Sequence, residues 1–465
     1  MSGDLLIRNV EVEGLPGLDV RLAGGRVVEI GARLSGREPD LDGKSGALLP
    51  GLIDHHIHLF ALAVQSASVR LDQAISAEAI TRTLRTHAVG LPPGEWLRGV
   101  GYHEADGEPM DRHGLDEIVA DRPVRVQHRT GGLWILNSAA LTLVVGGPTP
   151  PGVERDASGQ PTGRIWRADD WLRSRLAQAP PSLAGVSANL ARRGVTGVTE
   201  TSVTNDQTQA GLFAAAVAAG EWRQRLCLMS GGALTAPTDG AFRVGPVKIM
   251  LDDDRLPDLD LVCDTIARTH RSGRRVAVHC VTAGELAFAI AAFRTAGARR
   301  GDRIEHGGVI HPAATAELAA LDLTVVTQPG FVAERGDRYL AEVDPEDLDH
   351  LYPCASLIRA GVKVAGGSDA PYAEADPWSA IAAAVSRTTR GGQPLGLDER
   401  ISADAALNLF LGDFDDPGGA VRRVMVGAPA DFCLTRGPLR AVLADPRETW
   451  VAATLVGGQL IYQAS

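Results

Sequence analysis

The stretch LLPGLIDHHIHLF, residues 48–60, decides how the whole chain is read. After the Pro50-Gly51 break, an apolar run carries Asp54, His55, His56 and His58, and a Leu/Ala-rich segment follows. On a strand, residues two apart point to the same face, so His56 and His58 project together while His55 turns away into packing. Two neutral imidazoles on one face form a ready pair of metal ligands. A bare His-x-His says little; the preceding Pro-Gly and Asp54 make this one specific.

Outward from this segment, β-branched apolar runs recur at 51–58, 124–129, 196–201, 225–230, 246–251, 275–280, 302–306, 323–327 and 362–368, each followed by an Ala/Leu/Arg-rich helical stretch. Alternating strands and helices predict a parallel sheet covered on both faces. Nine runs is one too many for a (β/α)8 barrel. The surplus run, PVRVQHRT at 123–130, lies in a segment far longer than one crossover helix requires. The sequence therefore predicts an α/β fold: a (β/α)8 TIM barrel over 49–421, with a cap or substrate subdomain inserted at 68–190 after barrel strand 1. The chain ends, 1–48 and 422–465, hold short strands between glycine turns, and GGQLIYQ echoes GGRVVEIG. Isolated hairpins are barely stable in water, so the two ends are expected to close into one composite β-sandwich domain.

Composition narrows the function. Of 465 residues, 45% are hydrophobic and 22% charged, which is globular material with ample core. The formal charge is −11, without a clustered basic stripe, which argues against nucleic acid or an anionic membrane as partner. No apolar run approaches the roughly 20 residues of a membrane helix. The start, MSGDLLIRNV, lacks the basic segment and apolar run of a signal peptide. Five scattered cysteines, without paired spacing, fit a reducing, cytoplasmic setting and argue against disulfides or a cysteine zinc site. A small-molecule substrate is the expected partner, and a homodimer is left open.

Further polar residues stand at or near the ends of the later apolar runs. Lys248 lies inside PVKIML, His279 near the end of RRVAVHC, His306 at the end of DRIEH, and Asp369 after GVKVAGGSD. A charged Lys or Asp in a buried parallel strand is costly unless something pairs with it. One such residue would be structural; six, counting His56 and His58, all fall where a barrel builds its active site, at the C-terminal face.

PGLIDHHIH, the mid-strand Lys, the two later histidines and SDAP resemble the amidohydrolase superfamily over nearly the whole chain. EWLRGVGYHE, DRPVRVQHRTGGLWILNSAAL, PTGRIW and VTQPGFV look like its amidohydrolase-3 branch, which includes N-substituted formamide deformylases. The resemblance implies that His56 and His58 bind a buried metal together with Asp369, that Lys248, carboxylated by carbon dioxide, bridges two divalent metals, and that His279 and His306 bind the second. The mixed N/O donor set suits zinc. The implied activity is hydrolysis of an amide, N-acyl, N-formyl or related C–N bond by metal-activated hydroxide, with Asp369 as general base and then general acid. A deaminase of an amino-heterocycle using the same centre is the alternative. A catalytically silent binding module is a third reading, against which all six ligand positions are filled.

The insertion is expected to cap the barrel mouth. Tyr102, His103, Trp134, Asn137 and Ser138 are candidates for the substrate pocket, with Gln328 and Tyr372 on strand-end loops; for Trp134 an apolar anchor competes equally. Three segments depart from the branch pattern: RTGGLW lacks the usual His, HCVTAGEL replaces a Gly-Asp, and LDDDRLPD replaces an Asp-Gly loop. They leave the ligands intact but alter the pocket, so formamide substrates are not carried over. Asp252, Asp253 and Asp254 are either a solvated turn or an acidic loop that favours a cationic substrate.

Overall fold

The computed structural model describes residues 4–464 apart from 73, 75, 93, 105–108 and 177–179. The chain divides into two compact units, Met1–Leu59 with Ser182–Ser465, and Phe60–Pro181.

In the first unit, eight strands form one parallel sheet in sequence order. They are β1 (Leu52–Ile57), β2 (Val195–Glu200), β3 (Arg225–Ser230), β4 (Arg243–Ile249), β5 (Val276–Cys280), β6 (Arg303–His306), β7 (Thr324–Thr327) and β8 (Lys363–Gly366). β1, β2, β6 and β7 are buried at every position, on both faces, as strands of a covered parallel sheet are, and the polar residues they carry are buried with them. The end of β8 returns to β1 through Asp369 N–H to His56 O at 2.7 Å and His58 N–H to Ala370 O at 2.9 Å. A TIM barrel results, nearly closed, and the surplus run 124–129 is not part of it.

β4 starts at Arg243, earlier than expected, because the strand runs through Gly245-Pro246, which reads as a turn. The register shifts there against β3, and the Arg274 guanidinium takes up the carbonyls of Gly245 (2.9 Å) and Pro246 (3.1 Å).

The chain ends form two four-stranded sheets, the two layers of a sandwich. Leu5–Val12, Leu15–Ala23, Arg26–Gly31 and Asp40–Asp42 make the first. Leu48–Pro50 joins Phe432–Thr435, Val451–Val456 and Gln459–Gln463 in the second. Ile7, Val20, Leu22, Phe432 and Leu455 share one apolar cluster between them. The echoed GG motifs are both tight hairpin turns: Gly24, Gly25, Gly457 and Gly458 all have positive φ, the demand of a two-residue turn that matches strand twist.

The unit Phe60–Pro181 begins and ends somewhat before the expected 68–190. It holds a six-stranded sheet in which Val124–His128 is an inner strand, packed on Leu71, Leu84, Leu97, Leu115 and Ile135. Among the described residues no helix is long and apolar enough to cross a membrane. All five cysteines are free and buried.

Candidate metal centre

At the C-terminal ends of the barrel strands, side chains from distant parts of the chain converge. His56, near the end of β1, is fully buried, and its Nε2 lies 3.4 Å from Asp369 Oδ1. His58, just past β1, brings its Nε2 to 3.2 Å from the same oxygen. The His306 ring sits 4.6 Å from those of His56 and His279, centre to centre. One ligand atom each of His56, His306 and Asp369 lies within 4.8 Å of the others. Lys248, 3% exposed, lines the same cavity as all five. That cavity encloses about 830 Å³ within the first unit, a volume suited to a small molecule.

The backbone is bent to achieve this. His306 (φ 69°) and Asp369 (φ 53°) both occupy the left-handed region, which costs a non-glycine residue roughly 1–2 kcal/mol. Such strain concentrates at functional sites. Gly367 is required by close approach, since a Cβ there would stand 2.6 Å from His56 Cβ.

Three of the four imidazoles, those of His56, His58 and His306, are held by one nitrogen so that the other is presented. His56 Nδ1 meets Glu305 Oε2, His58 Nδ1 lies 2.9 Å from Ser202 Oγ, and His306 Nδ1 lies 2.9 Å from Gln328 Oε1. This is how metal-ligating histidines are oriented, by a partner on the ring nitrogen that does not ligate. Glu305 is itself clamped by Arg303, which also donates to His55 O at 2.6 Å. Asp54 Oδ1 accepts from His56 N–H (3.1 Å) and Ser368 N–H (3.0 Å), tying β1 to the segment after β8.

Two buried polar atoms face each other without a hydrogen-bond partner: His56 Nε2 and Asp369 Oδ1. Burying unpaired polar atoms is expensive, and a cation between a ring nitrogen and a carboxylate oxygen removes that penalty. The residues therefore fit a metal. Protonation states agree for two of the rings; at His56, burial and Lys248 disfavour the cation, but Glu305 and Asp369 outweigh them and raise its pKa. Burial and nearby Lys248 push His279 down to about 4, and burial with neighbouring His56 holds His306 well below the usual range, so both are neutral at pH 7. Burial opposes ionisation of Asp369, but the neighbouring rings of His56, His58 and His306 keep its carboxyl well below the usual range. Burial lowers the Lys248 ammonium.

A sequence model described as "Amidohydrolase family" matches residues 37–462. The chain belongs to the amidohydrolase family. It is 26% identical to an N-substituted formamide deformylase of Arthrobacter pascens, over 98% of this chain and 97% of that one. Its fold resembles an uncharacterized metal-dependent hydrolase from Pyrococcus horikoshii OT3, with a TM-score of 0.74, 19% identity, and 99% and 100% of the two chains covered. It also resembles the atrazine chlorohydrolase TrzN from Arthrobacter aurescens TC1, complexed with zinc, with a TM-score of 0.57, 14% identity, and 99% and 95% covered.

In this amidohydrolase the six expected ligand positions come together, and Tyr372 joins them: its ring lies edge-on to His58 at 6.0 Å and lines the cavity. Other candidates are placed differently. Gln328 is buried and serves His306 rather than open space. Within Phe60–Pro181, Asn137 is fully buried and spends its side chain on Val124 N–H, Ala140 N–H, Val119 O and Arg122 O; it is a helix cap and strand tie. Trp134 is buried beneath the guanidinium groups of Arg98 and Arg125, the apolar-anchor reading. Ser138 bonds Asp116 through its N–H and Oγ. Tyr102 is buried, its hydroxyl accepting from Met110 N–H. His103 is half-buried, with Nδ1 unpartnered. Asp252 caps the short turn Asp253–Arg255 through Asp254 N–H, and none of the three acids lines the cavity; they form a solvated turn. His55 is buried as expected, with neither ring nitrogen partnered.

Glu305, Arg303 and Ser202 are the residues that sequence reasoning missed. The signal for Glu305 was present: DRIEH places two charged side chains in a strand that must be buried, and such groups need partners.

Proposed function

We propose that this amidohydrolase cleaves an amide, N-acyl, N-formyl or related C–N bond with two divalent metal ions, zinc by the chemistry of the donors. His56, His58 and Asp369 would hold one ion, His279 and His306 the other, and Lys248, carboxylated on its amine, would bridge them. The observation that carries this reading is the pair of orphaned buried atoms, His56 Nε2 and Asp369 Oδ1, 3.4 Å apart. The zinc in the Arthrobacter aurescens relative supports the choice of metal.

Such ions supply Lewis acidity, lowering the pKa of water and polarising a carbonyl. The chain's own residues do the rest. Asp369, ionised at neutral pH, accepts the proton of the attacking water and returns it to the leaving nitrogen. Glu305 holds the His56 ring through Nδ1, as Ser202 and Gln328 hold His58 and His306, so ligand directions are fixed before substrate arrives. The lowered pKa of Lys248 raises the fraction of neutral amine, the form that reacts with carbon dioxide.

The test is to load the protein with zinc and offer N-formyl and N-acyl amines beside amino-heterocycles. Release of an acid and an amine from the first set is expected. Ammonia from the heterocycles, with the amides untouched, overturns the reading in favour of a deaminase.

A further inference from the structure

A second cavity of the first unit, larger than the one at the metal cluster, lies away from it. It encloses about 1280 Å³ and is bordered by the first residues of the barrel strands, Ile53, Arg225 and Arg243 among them, whereas the metal cluster gathers at the strands' other ends. In a chain of net charge −11 this wall carries six arginines and only two acids, Asp413 and Asp431.

Three of the arginines are neutralised: Arg225 by Asp431, Arg243 by Asp413 and Asp415, Arg423 by Glu13. The other three make hydrogen bonds only to carbonyls among the described residues, and Arg422 also lies in the field of Asp413 and Asp431. Arg26 donates to Gly427 O (2.8 Å) and Arg223 to Ile461 O (3.2 Å). Arg422 donates from Nε to Leu411 O (3.2 Å) and Gly412 O (3.1 Å), and from Nη2 to Gly51 O. Carbonyls fix the direction of a guanidinium but do not cancel its charge. The unmet demand of this cavity is for negative charge.

We propose that this cavity binds a small polyanion, a phosphate ester or a polycarboxylate, between Arg26, Arg223 and Arg422. Guanidinium forks match both groups bidentately. The site is separate from the hydrolytic centre and does not depend on it.

Calorimetric titration of the full, metal-loaded chain with fructose 1,6-bisphosphate and, separately, with tricarballylate tests this. Neither probe is offered as the natural ligand; the tighter of the two assigns the anion class. Arg26→Gln with Arg223→Gln removes two exposed guanidiniums and should weaken the tighter probe at least about tenfold per charge-assisted bond of roughly 1.4 kcal/mol. Binding should fall as salt rises. No heat with either probe up to about 10 mM in the wild type, a range that covers millimolar affinity, overturns the proposal. Equal affinity in the wild type and the double variant overturns it as well.

Discussion

The barrel strand ends and the unit Phe60–Pro181 both bury polar side chains, but they use them in opposite ways. Asn137 satisfies every donor and acceptor it has within its own unit. His56 and Asp369 each keep one buried atom unpaired, and Asp369 and His306 sit in strained backbone besides. A satisfied polar group holds a fold together; an unsatisfied one, buried at some cost and aimed at another, waits for something to bind. Lack of a partner alone does not mark the site, since His55 and His103 also keep ring nitrogens unpaired; what marks it is that two such atoms meet, 3.4 Å apart.

The comparison breaks first at Asp369. Asp369→Asn should lower turnover by roughly 10³-fold or more, as loss of a proton-transferring group does, while the circular-dichroism spectrum stays that of the folded protein. Full activity would take Asp369 out of the mechanism. Next comes Lys248→Ala, which should lose bound metal and, with it, activity, because a ligand shared by both ions is removed. Short-chain carboxylates should restore part of it by standing in for the bridge, and retention of two metals would count against that bridge. Glu305→Gln should weaken metal affinity by roughly 10- to 100-fold, read by competition with a chelator, because an amide holds the His56 ring less firmly than a carboxylate.

On the scaffold side, Asn137→Ala should destabilise the protein by about 1–3 kcal/mol in urea unfolding, the penalty of buried groups left unpaired. The kcat of the folded fraction should be unchanged, and a fall in kcat with normal stability would restore Asn137 as a pocket residue. The smallest effect is at the cysteines. Burial pushes Cys227 up to about 11 and Cys354 and Cys433 up to about 12. Thiol reagents at pH 8 should therefore leave the folded chain unlabelled until denaturant is added.

The barrel and the ligand positions were legible because both obey local periodicities. A parallel strand buried on both faces reads as an apolar run, and a polar residue at its end stands out, as His279, His306 and Asp369 do. Two things were less visible. Glu305 acts on His56, 249 positions away, and no local pattern connects them. Asn137 misled because a helix cap and a pocket residue are the same kind of side chain; the sequence NSAAL, a capping residue before a helical stretch, carried the better reading. β4 was placed late because Gly245-Pro246 reads as a turn, while in the fold Arg274 binds the two carbonyls there.

Elemental analysis of zinc-reconstituted protein tests the metal centre most directly. About two zinc ions per chain, as in two-metal hydrolytic sites, are expected in the wild type, with loss of zinc in His56→Asn and Asp369→Asn variants that remain folded. Wild-type protein that folds normally and retains no zinc, or variants that retain as much as the wild type, would contradict it.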